Sequence, residues 1–188
     1  NTTVAFCSDH GELLGHFGML TKSIDEYPML YDVGLMVPLI IRTPDGMENA
    51  TVEDPVELTD LCPTLLYCAG LEVAPEIQGQ NLGAAISGKA QSYRDDIYAE
   101  SGAVKMLRGR QYKLVYYPGQ IYGELYNIID DPDEIHNLYD DPRYRENRVR
   151  RTGDLLNRLI HMEATRHGQS NRGPAYWRSL YSKPFGEG

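Results

Sequence analysis

An acid and a histidine stand side by side in Ser8-Asp9-His10-Gly11-Glu12, directly after a short apolar run at residues 3–7. Asp offers hard oxygen ligands and a neutral imidazole offers nitrogen, so the pair can hold a divalent cation. Lys22 follows thirteen residues after Asp9, past Gly11, Gly15 and Gly18, on a loop able to fold back over the strand end. A cation beside an ammonium group traps a tetrahedral oxyanion and stabilises charge that builds on it during group transfer. The same tripeptide also suits a plain turn in which Asp9 caps the backbone, and the residues alone leave both readings open. Glu12 supports the pair or stands in water as a loop carboxylate. His16 lines the site or faces solvent.

Such a pair needs a strand to aim it. Thr-Val-Ala-Phe-Cys reads as a strand buried on both faces, as in a parallel sheet. In open α/β sheets, ligands bind at the carboxyl ends of the strands. A short helix is expected near Asp25, with Pro28 in its first turn. Residues 37–41 form a second buried strand, closed by Pro44, Asp45 and Gly46, and residues 52–58 suggest a short third one. Residues 60–71 read as a helix, because Leu61, Leu65, Leu66 and Ala69 recur at helical spacing and Gly70 is placed to end it. Strand, helix and strand in alternation imply an α/β sheet.

The pattern changes after Gln91. Residues 96–100 read as a strand, 104–107 and 112–117 as a hairpin, and 123–128 as a further strand. Asp130-Asp131-Pro132-Asp133 is a turn. A long helix follows over 142–166, with Val149, Leu155, Leu156, Leu159 and Ile160 on its apolar side. The expected organisation is three parts: 1–95 in an α/β sheet, 96–167 as a small antiparallel sheet with a long C-terminal helix, and 168–188 as an irregular tail. Tyr176, Trp177 and Tyr181 in that tail either anchor it or cover a site rim.

The order of these motifs resembles the C-terminal part of the sulfatase family, within the alkaline-phosphatase-like superfamily. The resemblance runs through Ser8-Asp9-His10-Gly11-Glu12-x-x-Gly15 and Lys22, then Val37-Pro38-Leu39-Ile40-Ile41-Arg42-x-Pro44. It continues in Glu57-Leu58-x-Asp60-Leu61-x-Pro63-Thr64-Leu65-Leu66, Ala69-Gly70-Leu71 and Gln78-Gly79-x-x-Leu82, and ends in Leu125-Tyr126-Asn127 and Asp131-Pro132-x-Glu134-x-x-Asn137-Leu138. It covers residues 2 to 165. It implies a mainly parallel sulfatase-type sheet, with Asp9 and His10 as two ligands of one divalent cation, calcium or, in some relatives, manganese. It implies that Lys22 grips the sulfate group, and that the substrate is the sulfate ester of a small molecule or a glycan. The family nucleophile, a formylglycine made from Cys or Ser in C/S-x-P-x-R, is absent from this sequence. Cys62 is followed by Pro63-Thr64-Leu65 and does not match. The nucleophile, the acidic pair that completes the metal site and the rest of the sheet are therefore expected in a missing N-terminal part. Gly15-His16-Phe17-Gly18 departs from the family's Gly-x-His-Gly by one residue, which unsettles any role carried over to His16.

Composition bounds the alternatives. A net charge of −9 makes a nucleic-acid partner a poor candidate, since phosphate binding needs surplus Lys and Arg. The charge is uneven, with eight Arg against three acids between Pro142 and Arg172. Those arginines read as a solvated helix face, or as a contact with the acidic remainder or a second subunit in a homo-oligomer. No apolar stretch approaches the ~20 residues that a membrane-spanning helix needs. Cys7, Cys62 and Cys68 are odd in number and make no close pair; they read as buried free thiols and lean towards a reducing, cytoplasmic compartment. Two rivals remain: a phosphonate or phosphate ester hydrolase or phospho-group transferase of the same superfamily, and a non-catalytic module that binds an anion or a partner.

Overall fold

The structure, a computed structural model, describes residues 2–21, 30–89 and 94–166. Lys22, the helix expected near Asp25, His167 and the tail all lie outside these residues.

Four strands carry most of the core. β3 (Asp96–Ser101), β4 (Val104–Gly109), β5 (Tyr112–Tyr116) and β6 (Gly123–Asn127) pair antiparallel in sequence order. The turn into β4 needs Gly102, whose φ of 55° lies in the left-handed region that a Cβ disfavours. Alternation along the strands gives the sheet two apolar faces. Leu107, Tyr112, Leu114 and Leu125 meet Leu155 of the helix α4 (Arg145–Arg166) on one face. On the other, Val104, Met106 and Val115 bury Leu30. The small antiparallel sheet and the long helix are as the sequence implies.

Helix α4 is turned differently from expectation. Leu155 is buried and Leu159 packs beside it, but Val149, Leu156 and Ile160 are exposed. The inward line runs 151, 155, 159, a helical i, i+4, i+8 stripe. Arg151 joins it because Asp96 Oδ1 accepts its Nη2 at 2.7 Å, so a charge occupies what hydrophobicity alone assigns to a leucine. Arg158 reaches Glu57 Oε2 at 2.8 Å, and Arg148 donates to the Tyr139 carbonyl at 2.7 Å. These arginines contact the acidic remainder of the same chain.

The first part of the chain departs further. β1 (Val4–Cys7) and β2 (Leu39–Arg42) pair antiparallel, with Val4 opposite Arg42 and Phe6 opposite Ile40, not parallel as expected. An apolar run signals burial, not direction, so the pairing sense was never encoded in it. Nor are the faces buried within this chain: Val4, Phe6 and Ile40 are 52%, 60% and 63% exposed. Residues 52–58 form no strand, and Pro55, which lacks a donor, interrupts them. Helix α2 (Leu61–Cys68) appears as expected and ends at Gly70 (φ 71°), yet it buries Pro63 and Thr64 and leaves Leu65 exposed. Two short helices, α1 (Asp32–Leu35) and α3 (Gly83–Ile86), carry no periodic signal long enough to be anticipated. The cysteines are unpaired, but Cys7 and Cys62 are exposed rather than buried.

Asp60 ties these pieces together. It is fully buried; Oδ1 accepts the Gln80 N–H and Arg94 Nη2, and Oδ2 accepts the Glu57 N–H, each at 2.7 Å. Glu57 in turn pairs with Arg94 and Arg158 and accepts the Tyr98 N–H. One acidic turn thereby holds β3, α4 and the strand-poor segment around residue 80.

A second polar core surrounds Glu124, which accepts hydroxyl bonds from Tyr117 (2.7 Å), Tyr122 (3.0 Å) and Tyr126 (3.2 Å). Burial first, then the adjacent carboxylate, holds the Tyr117 and Tyr126 phenols well above the usual tyrosine range. In the unfolded chain these phenols ionise near pH 10. Their contribution to stability is therefore intact below about pH 10 and lost as pH rises beyond it, because only the unfolded state releases the protons readily. A urea titration is expected to show a midpoint that falls steadily above about pH 10, with a shallower fall in Tyr117→Phe; a flat profile would contradict the assignment.

Candidate functional site

β1 delivers Asp9 and His10 at its carboxyl end. Ser8 Oγ donates to the His10 carbonyl at 2.7 Å, and Asp9 Oδ1 accepts the His10 N–H at 3.1 Å, so the capping role open to Asp9 is realised. Its carboxylate remains 87% exposed and able to take a further partner. His10 Nδ1 lies 2.8 Å from the Gly11 carbonyl, which can only accept. Nδ1 is thus the nitrogen that donates in this contact, which leaves Nε2 as the ring atom directed to a further partner. That Nε2 lies 3.7 Å from Asp9 Oδ2, close enough for both atoms to reach one ion. A ligand histidine commonly donates its other N–H to a backbone carbonyl, which fixes the ring and its tautomer. Glu12 Oε1 stands 3.8 Å from Nδ1, on the side of the ring away from Nε2.

The turn sits hard against α1. The Gly11 N–H donates to the Gly34 carbonyl at 2.9 Å, and a Cβ on Gly11 would fall 2.3 Å from the Val33 oxygen. Only glycine permits this approach. The loop that follows holds Leu14 (φ 46°) and Phe17 (φ 52°) in left-handed backbone. Such strain persists only where the surroundings impose it; here Leu13 is buried and the Phe17 ring lies 4.3 Å from that of Tyr31.

The structure thus brings Asp9, His10 and Glu12 together. His16 packs its ring edge-on against Phe17 at 4.8 Å. Among the described residues no group of three or more His, Cys, Asp or Glu is placed to hold a metal ion. Asp9 and His10 suit a cation by chemistry and orientation, as part of a ligand set. Three residues behind the turn escaped sequence reading, Asp32, Arg108 and Lys113, and a fourth, Glu134, was named in a motif without its contacts. The one signal was Lys113, a charge inside the otherwise apolar-aromatic run Tyr112–Tyr116.

The family model "N-sulphoglucosamine sulphohydrolase, C-terminal" matches residues 23–163. The sulfatase YidJ of Escherichia coli K12 is 32% identical over 165 residues, covering 83% of this chain and 32% of that protein. The N-acetylglucosamine-6-O-sulfatase of Bacteroides thetaiotaomicron is 28% identical over 158 residues, covering 77% of this chain and 27% of its own length. Among solved structures, a 2-O GAG sulfatase superposes with a TM-score of 0.74 at 26% identity, over 93% of this chain and 41% of the other. The phosphonate monoester hydrolase of Agrobacterium radiobacter does so with a TM-score of 0.75 at 26% identity, over 85% and 35%. The chain spans about a third of the length of the curated relatives it matches. With the family model over most of its length, and with the turn, the meander and the long helix in the order its motifs imply, the chain belongs to the N-sulphoglucosamine sulphohydrolase C-terminal family of sulfatases.

Proposed function

We propose that this chain is the C-terminal part of a metal-dependent sulfuric ester hydrolase, acting on the sulfate ester of a small molecule or a glycan. The observation that carries this is the setting of the His10 ring, with Nδ1 2.8 Å from the Gly11 carbonyl and Nε2 3.7 Å from Asp9 Oδ2. Asp9 and His10 hold a divalent cation, calcium or manganese, which when bound draws charge from a sulfate oxygen as a Lewis acid. Gly11 keeps the turn in place against α1. Lys22 pairs with the sulfate group and stabilises its developing charge. Glu12 limits the swing of the His10 ring. The nucleophile, a formylglycine, and the remaining metal ligands lie outside this chain.

The exposed face of Val4, Phe6, Ile40 and Arg42 supports the rest of this reading. It packs on a further segment of the same protein, which completes the mainly parallel sheet. Residues 1–95 belong to that α/β body, 96–167 form the smaller subdomain, and association with a second copy is compatible with the outward stripe of α4. No helix among the described residues is long and apolar enough to cross a membrane.

The pure 188-residue chain is expected to show no turnover of 4-nitrophenyl sulfate; clear turnover would show that a nucleophile lies within it. The full-length protein tests the activity itself. It is expected to hydrolyse an aryl sulfate at least tenfold faster than an aryl phosphonate monoester, and to lose that activity with a chelator. The reverse preference would establish the second reading, a phosphonate ester hydrolase, which the likeness to the Agrobacterium radiobacter enzyme favours. Turnover of neither would leave a binding module.

A further inference from the structure

Behind the Asp9–His10 turn lies a cluster of four charges drawn from three distant parts of the chain. Asp32, at the start of α1, is 7% exposed and accepts Lys113 Nζ on Oδ1 at 2.8 Å and Arg108 Nε on Oδ2 at 2.6 Å. Lys113 is fully buried, and its Nζ stands 2.5 Å from Glu134 Oε1. Glu134, 4% exposed and held at a φ of 56°, accepts the Asp32 backbone N–H on Oε2 at 2.6 Å. Arg108 and Lys113 are direct cross-strand partners on β4 and β5, on the sheet face that buries Leu30. Two carboxylates and two cations sum to zero charge.

A neutral buried ion cluster adds little net stability over an apolar cluster of the same volume. It differs from one in fixing distances and directions, because every oxygen and nitrogen must meet a particular partner. Here the fixed object is α1, a helix of four residues with no side-chain cap of its own. One residue beyond Asp32, the Val33 carbonyl sets the closest approach of Gly11, and the Gly34 carbonyl accepts the Gly11 N–H. A slack α1 lets that turn move, and His10 moves with it.

We propose that Asp32, Arg108, Lys113 and Glu134 are positioning residues: the cluster locks α1 to the meander so that α1 seats the turn carrying Asp9 and His10 for metal binding. This rests on the reading of Asp9 and His10 as cation ligands.

Calcium affinity of the metal-stripped full-length protein, measured by titration calorimetry, tests it. Lys113→Met is expected to weaken calcium binding at least tenfold, and the milder Arg108→Gln about threefold. Lys113→Met combined with Glu134→Gln restores charge balance; it is expected to recover thermal stability but not calcium affinity. Arg158→Met, which breaks a comparable ion pair on the opposite side of the sheet, is expected to lower stability and leave affinity within twofold. If Asp9→Ala abolishes calcium binding while folded Lys113→Met and Arg108→Gln bind like wild type, the positioning role is overturned and the metal reading stands. Should Lys113→Met fail to fold, Arg108→Gln decides by the same criterion. Recovery of both stability and affinity in the double variant also overturns it, leaving a cluster that only stabilises. Wild-type affinity in Asp9→Ala overturns the metal reading and this inference with it.

Discussion

Asp9→Ala in the full-length enzyme is expected to lower kcat for an aryl sulfate by about 10²–10³-fold, the range seen when one preorganised electrostatic contact to a transition state is removed. The loss has a signature. Asp9 carries a carboxylate that is 87% exposed and accepts a turn bond from its neighbour, so its removal deletes the proposed cation ligand without opening a cavity. Stability is therefore expected to hold, and added calcium is expected to recover part of the rate. Lys22→Ala is expected to cost a similar factor with no recovery by calcium, since the proposed role of its ammonium is on the sulfate rather than on the ion. Steady-state kinetics across a calcium series separates the two. An Asp9→Ala enzyme with unchanged rate and unchanged calcium dependence would falsify its place in the metal site.

The largest stability effect is expected at Asp60. Asp60→Ala leaves the Arg94 guanidinium without its nearest carboxylate and strands the Gln80 and Glu57 backbone donors in a fully buried site. Breaking a buried pair from one side costs about 3–5 kcal/mol, because the surviving charge cannot return to water. Against a typical domain stability of about 5–15 kcal/mol, that leaves little reserve. Urea unfolding of the full-length variant checks it. Arg143→Ala, at a pair whose arginine is 81% exposed, is the matched control and is expected to shift the midpoint little. Equal effects from the two would mean that Asp60 is not the tie it appears as in the hydrogen-bond pattern.

How far these features could be read from residues alone depended on whether they were local. The meander and α4 were readable because their signals lie within a few residues: hairpin turns at Gly102 and near Arg110, and leucines at helical spacing. The Asp9-His10 pair was readable because strand end and ligand types are contiguous. The direction of β1 was not, since Val, Ala and Phe specify an apolar strand and nothing about its neighbour. The buried face of α4 was misread at Val149, Leu156 and Ile160 because Asp96, 55 residues from Arg151, decides which way the helix turns. Lys113 could only be seen as out of place and Glu134 as a motif residue; that both meet Asp32 is invisible to any window of sequence.

The same separation bears on the order of assembly during synthesis. The hydrogen-bonded strands of the meander are neighbours in sequence, the kind of local topology that forms fast. The bond from Lys113 to Asp32 spans 81 residues, and that from Glu134 to the Asp32 N–H spans 102. A ribosome releases residues 8–12 long before Lys113 and Glu134 exist. The turn at residues 8–12 therefore emerges ahead of this sheet and waits, unseated, until the sheet has closed and captured α1. Residues 8–12 are thus made well before the partners that seat them, and their final placement waits on chain released after Glu134.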